Sequence, residues 1–162
     1  MEMTMKTFAR LALAATALVA TAAAFTTGAS AQQASGTIQL RGTVAVNCTI
    51  AVTDLNQPLN LTGGESNKQV GTVTENCNRG NGYKISVASA NAGKLVSGAA
   101  GTTPISYATQ YDGQSGNSGT LEVIRNQAQF NKVSSVNVTI PASAQYIAGD
   151  YADTLTITIA AR

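Results

Sequence analysis

The stretch from Gly149 to Arg162 alternates with a period of two: Leu155, Ile157 and Ile159 stand against Thr154, Thr156 and Thr158. Successive side chains of a strand point to opposite faces, so this pattern predicts a half-buried β-strand with its aliphatic side inward. Such a strand constrains a fold strongly, because its open edge must be paired or covered. Nothing that follows is expected to turn back and pair with it. A second alternating segment runs from Gly36 to about Val46. Gly36, Ile38, Leu40, Gly42, Val44 and Val46 share one face, and Thr37, Gln39, Arg41 and Thr43 take the other. A spare strand at one end and an unpartnered strand at the other predict a chain completed by another copy or a relative, as in a subunit of a polymer.

Residues 1–31 read as a secretory signal peptide. Lys6 and Arg10 form a basic region, Leu11 to Ala24 an apolar one, and Ala29-Ser30-Ala31 a small-residue cleavage site. A transmembrane anchor is the competing reading, but an apolar run of roughly 15 residues falls short of the ~20 a span requires. The mature chain is then expected to begin at Gln32, to be exported, and to form one domain. Its charges are Arg41, Lys68, Arg79, Lys84, Lys94, Arg125, Lys132 and Arg162 against Asp54, Glu65, Glu75, Asp112, Glu122, Asp150 and Asp153, a net charge of +1. With no basic patch, neither nucleic acid nor an anionic membrane is an expected partner.

Cys48 and Cys77 are the two cysteines. In an exported chain they most simply form one disulfide, stabilising by roughly 3–4 kcal/mol through loop closure. A redox pair or a metal site are the alternatives. The spacing is not C-x-x-C, and the sequence contains no histidine to help hold a metal.

The expected mature chain is rich in Thr, Val, Ile, Ser, Asn and Gly, which suits short strands joined by turns. Strands are predicted over residues 69–77, 83–88, 95–96, 105–111, 121–124, 135–140 and from Tyr151 onward, with a short one at 59–61. Thr62 to Lys68 reads as a turn cluster and Ser97 to Thr103 as a loop. Asn81-Gly82 reads as a hairpin turn, and residues 112–119 as a flexible linker. The spacing of these signals predicts a β-sandwich. Catalytic chemistry is not expected. No histidine, no G-x-S-x-G elbow and no thiol outside the cysteine pair is present. Asp150 and Asp153 flank Tyr151 and read as turn-capping, solubilising residues, not as a carboxylate pair. Asp112 and Glu122 read the same way. No cofactor and no metal is implied.

Ala148-Gly-Asp-Tyr-Ala-Asp-Thr-Leu-Thr-Ile-Thr-Ile159 closely resembles the terminal strand of the spore coat protein U domain. That family includes the Csu-type, or archaic, chaperone–usher pilin subunits. Gly42-Thr-Val-Ala-Val-Asn-Cys-Thr-Ile50 resembles the family's strand bearing the first cysteine. Gly71 to Cys77, followed by Gly82 to Val87, is similar to the second cysteine strand and its successor. Ile105-Ser-Tyr-Ala-Thr-Gln-Tyr-Asp112 and Val136-Asn-Val-Thr-Ile-Pro141 match two further strands, in the family's order. The resemblance implies an all-β fold, an incomplete immunoglobulin-like β-sandwich completed by donor-strand complementation. A periplasmic chaperone would lend the missing strand during export. At an outer-membrane usher, the amino-terminal extension of the next pilin subunit would replace it. Residues 32–44 would be that donor extension, with Ala34, Gly36, Ile38, Leu40 and Gly42 facing the acceptor. Residues 45–162 would be the pilin domain, with Leu155, Ile157 and Ile159 lining the acceptor groove. The product would be a surface fimbria serving adhesion or biofilm formation. The alternatives are a self-complete secreted coat domain and a tip subunit binding a surface or glycan through loops 97–103 and 112–119.

Overall fold

The structure is a computed structural model that describes residues 33–116 and 119–162. The expected signal peptide and the expected new terminus at Gln32 lie outside the described residues. Contacts divide the chain into two units, residues 1–41 and 42–162. In the first, residues 33–41 carry neither helix nor strand.

The second unit is built from ten strands: β1 (Cys48–Asp54), β2 (Glu65–Cys77), β3 (Tyr83–Ser89), β4 (Lys94–Leu95), β5 (Ile105–Ser106), β6 (Ala108–Tyr111), β7 (Gln114–Gly116), β8 (Thr120–Arg125), β9 (Gln129–Ile140) and β10 (Leu155–Ala161). One antiparallel sheet has the order β1-β2-β9-β6-β7, a second the order β10-β3-β8, and β4 and β5 form a small pair. The described chain has no helix. Alternation explains the layering. Val73, Glu75 and Cys77 of β2 are buried while Thr72, Thr74 and Asn76 are half-buried, and β3 buries Tyr83, Ile85 and Val87 in the same way. The inward faces of the two sheets meet in one core, where Val73, Tyr111 and Val136 pack with Tyr83, Ile85, Val87, Leu121 and Val123. Each such aliphatic side chain contributes about 1.5–3 kcal/mol when fully buried. The arrangement is an antiparallel β-sandwich.

Several local expectations need correction. Asn81-Gly82 does not close a hairpin: β2 and β3 belong to different sheets, and residues 78–82 cross between them. Gly82 is required there. It has φ of +85°, and a Cβ would collide with the carbonyl oxygen of Arg125. The hairpin lies instead at Asp112-Gly113, inside the segment expected to be a linker. Tyr111 pairs with Gln114 across these two residues, whose φ values of 47° and 82° are those of a type I′ turn. Residues 105–111 are not one strand, because Ile105–Ser106 pairs with β4 while Ala108–Tyr111 pairs with β9. The last strand begins at Leu155, not Tyr151; Ala152 makes only an isolated bridge to Val96. β2 extends back to Glu65 through the expected turn cluster, and residues 59–61 are not a strand.

Candidate functional site

Cys48 and Cys77 sit directly opposite each other at the end of the β1–β2 ladder and form the disulfide. Among the described residues no cysteine is free. Beside it, the Asn78 side chain takes the place of a strand partner. Its Oδ1 accepts from Asn47 N at 2.7 Å and its Nδ2 donates to Ala45 O at 2.8 Å. The chain entering β1 is therefore pinned at Ala45–Asn47.

β1 and β10 are edge strands of the two sheets on the same side of the sandwich. They lie near one another, yet no ladder joins them. Between them opens a groove of about 380 Å³. Its floor is apolar, made by Val70, Val136, Val138 and Ile140 of the five-stranded sheet with Leu95 and Tyr107. Its walls are Val52 to Asp54 on one side and Asp153 to Leu155 with Ile157 on the other. The walls carry the mark of a missing cover. Ile50, Val52 and Asp54 stand opposite Glu75, Val73 and Gly71, all buried, so they belong to the inward face of their sheet. Val52 is nevertheless 54% exposed. Leu155, Ile157 and Ile159 stand opposite Ser89, Val87 and Ile85 and are likewise inward, but only half-buried. Leu155 and Ile157 line the groove. Ile159 packs against the main core farther along β10 and does not line it.

The groove is not uniform along its length. At the Cys48 end, both edges are tied to the crossover 78–82: Asn78 N donates to Asn47 O, and Arg162 N donates to Gly82 O, each at 3.1 Å. At the Asp54 end each edge is tied to its own sheet, Leu55 N to Val70 O at 3.0 Å and Ala90 N to Thr154 O at 2.9 Å. The groove lies toward the Asp54 end, where Val52 to Asp54, Leu155 and Ile157 line it and Cys48, Ile50 and Ile159 do not. Gly71 on β2 adds no side chain to its floor.

Of the residues expected to form the donor strand, Ala34, Gly36, Ile38 and Leu40 belong to the first unit and Gly42 opens the second. All five are exposed, Ile38 and Leu40 by 90% and 92%. The apolar face of this alternating segment continues into Val44, 85% exposed.

Two polar constellations went unread in the sequence. Asp153 is not a surface cap. Its carboxylate accepts from Ser89 Oγ and Tyr107 Oη at 2.5 Å, from Asn91 N and Nδ2 at 3.1 Å, and from Thr154 N at 2.7 Å. Burial pushes this carboxyl up, but those donors outweigh it and hold the group below its ordinary value. It thereby fastens the start of β10 to the end of β3. Glu75 lies wholly buried in the core. Tyr83 Oη and Tyr111 Oη donate to it at 2.5 and 2.7 Å, and Ser134 Oγ at 2.6 Å. Arg125 completes the set and continues outward to Asp112 at 2.8 Å, which Lys132 also meets at 3.1 Å. Burial raises the Glu75 carboxyl, yet Arg125 and then Ser134, Tyr83 and Tyr111 outweigh it and bring the group to about 2. The inward parity of Val73, Glu75 and Cys77 was the signal that could have revealed it. Both sets are saturated with structural hydrogen bonds. Among the described residues, no three acidic or cysteine side chains converge on a point that could hold a metal.

These features define an all-β, disulfide-bonded protein whose two larger sheets leave an apolar groove between β1 and β10. No protein-family model and no curated protein matches the chain.

Proposed function

We propose that this chain is a structural subunit of a surface fibre, in which an extended segment of one copy fills the β1–β10 groove of the next. One observation carries the reading: inward-facing Val52, Leu155 and Ile157 border an apolar groove flanked by two strand edges that no described residue pairs. An added strand would satisfy main-chain groups on both edges and bury alternate side chains on the floor, the mode called β-augmentation. Residues 34–44 suit the part. They alternate, they are exposed, and fully extended they reach roughly 35 Å at about 3.3 Å per residue, longer than the seven-residue β10. The disulfide fits assembly in an oxidising compartment outside the cytosol.

In this reading the domain is an immunoglobulin-like sandwich short of one strand, like the spore coat protein U and archaic pilin domains that its motifs resemble. A chaperone covers the groove during export, an outer-membrane usher orders the exchange, and the fibre serves adhesion or biofilm formation. The test uses the donor segment. Leu40→Asp places a charge where an apolar side chain must be buried. It should abolish donation while leaving the subunit able to accept a strand. Grafting residues 34–44 after Arg162 through a short flexible linker should give a stable monomer. Polymerisation of Leu40→Asp at the parental rate would sink the reading.

A further inference from the structure

Every hydrogen bond described for residues 42–47 is made with Asn78. The pairing of β1 with β2 does not stop at the disulfide. Asn78 N donates to Asn47 O at 3.1 Å, and Asn47 N donates back to Asn78 Oδ1 at 2.7 Å, where a backbone carbonyl would serve in a regular ladder. Asn78 Nδ2 then donates to Ala45 O at 2.8 Å. Residues 45–47 thus prolong the line of β1 past Cys48, whereas the groove lies toward Asp54. None of residues 42–54 has a left-handed φ.

We infer that Asn78 is the residue that directs strand donation to another copy: by holding Ala45 and Asn47 in line with β1, it keeps residues 34–44 from folding back over the chain's own groove. This rests on the strand-acceptor reading above. The closed alternative is well formed in every other respect. A three-residue turn at Ala45–Asn47 would lay the segment antiparallel to β1, with Gly42 opposite Ile50, Leu40 opposite Val52 and Ile38 opposite Asp54. Opposite residues share a face, so the apolar side of the segment would meet the inward side of β1. Three-residue hairpin loops end on a left-handed residue, a conformation that Asn47 tolerates. Tethering also favours closure: a segment on a short linker meets its own groove at about millimolar effective concentration, roughly a thousandfold above a neighbour present at about 1 μM. For the segment to serve a neighbour, geometry must forbid closure, and the residues that would have to turn are the ones Asn78 holds. A turn made farther out, over Gly42–Val44, leaves that hold intact but fails. It brings only Ala34 opposite Val52 and returns Ile38 to Cys48, outside the groove.

The test reads size and peptide binding of the exported, disulfide-bonded chain. Asn78→Ala should convert a self-associating protein into a mainly monomeric one, seen by light scattering after size separation, because each copy can now cover its own groove. A fluorescent peptide spanning residues 34–44 should bind this monomer at least about tenfold more weakly than it binds the Leu40→Asp chain, whose own segment cannot fill a groove. Adding Leu40→Asp to Asn78→Ala should restore peptide binding to the level of Leu40→Asp alone, which also shows that the groove survives without Asn78. Self-association of Asn78→Ala at the parental level would overturn the role of Asn78, while peptide binding by the Leu40→Asp chain would leave the acceptor groove standing. A double variant that fails to bind the peptide where Leu40→Asp succeeds would also overturn that role, since Asn78 would then be needed for the groove itself. Peptide binding by neither Leu40→Asp chain would overturn the acceptor reading.

Discussion

Arg125 of β8 reaches from one sheet to the other and grips Glu75 of β2 with two bonds, Nε to Oε2 at 3.0 Å and Nη2 to Oε1 at 2.8 Å. This forked pair, wholly buried at Glu75 and 13% exposed at the Arg125 side chain, fixes how the two sheets face each other. It does so in the core, where Tyr83, Tyr111 and Ser134 also donate to Glu75 and removing one partner strands the other. Glu75→Ala is expected to cost about 3–5 kcal/mol, measured by urea denaturation. Replacing Glu75 and Arg125 together by Leu and Met should cost clearly less than Glu75→Ala alone. If the double variant is the weaker protein, the pair contributes more than its own satisfaction.

The same carboxylate gives a signed pH dependence. Its folded value of about 2 lies below the ordinary 4.5. The folded state thus favours the ionised form, and the stabilisation is fully present above about pH 4.5. It is lost as pH falls from there toward 2, by up to ~3 kcal/mol. Equilibrium unfolding from pH 6 to pH 2 should show this loss, and Glu75→Gln should remove that part of the slope.

Cys48–Cys77 should leave no thiol reactive to alkylation in the native protein. Cys48→Ser is expected to lower stability by about 2–5 kcal/mol, read from the shift in denaturant midpoint. Because β1 is an edge strand hydrogen-bonded to β2 alone, its amides should lose the most hydrogen-exchange protection in that variant.

The uncovered floor of the groove should bind an apolar dye in the native chain, since exposed contiguous apolar surface attracts such ligands. Fluorescence should fall when residues 34–44 are grafted after Arg162, and the melting temperature should rise. Deleting residues 32–41 should leave the dye signal in place and the protein prone to self-association. A deleted chain that stays a well-behaved monomer without dye binding would mean that the sandwich is complete in itself.

Much of this architecture could be read from residue order. The alternation of Leu155, Ile157 and Ile159 announced β10, Tyr83 to Ala88 announced β3, and the two cysteines announced their own pairing. What stayed hidden depended on which sheet a strand joins, a property no local pattern carries. Asn81-Gly82 has hairpin chemistry, yet its neighbours Cys77 and Tyr83 lie in opposite sheets. Ile105 to Tyr111 alternates as one strand, yet Tyr107 turns aside to reach Asp153. The groove shared this fate. Leu155 and Ile157 were identifiable from their own strand, but Val52, Val136 and Val138 meet them only through the pairing order. Glu75 was overlooked because a charged residue in a strand invites an outward assignment, although Val73 and Cys77 two positions either side point inward.

The position of the disulfide matters for how a pull would travel through the molecule. Tension applied along residues 33–44 first meets a hold at Ala45–Asn47, where Asn78 bonds the backbone, and reaches Cys48 one residue later. An edge strand tugged from its end would unzip one hydrogen bond at a time. Here the first link of that zipper is covalent and leads directly to Cys77 in β2, an interior strand of the sheet. Load therefore bypasses β1 and spreads into the ladder between β2 and β9, so stretching the molecule would have to shear many bonds at once instead of peeling them singly.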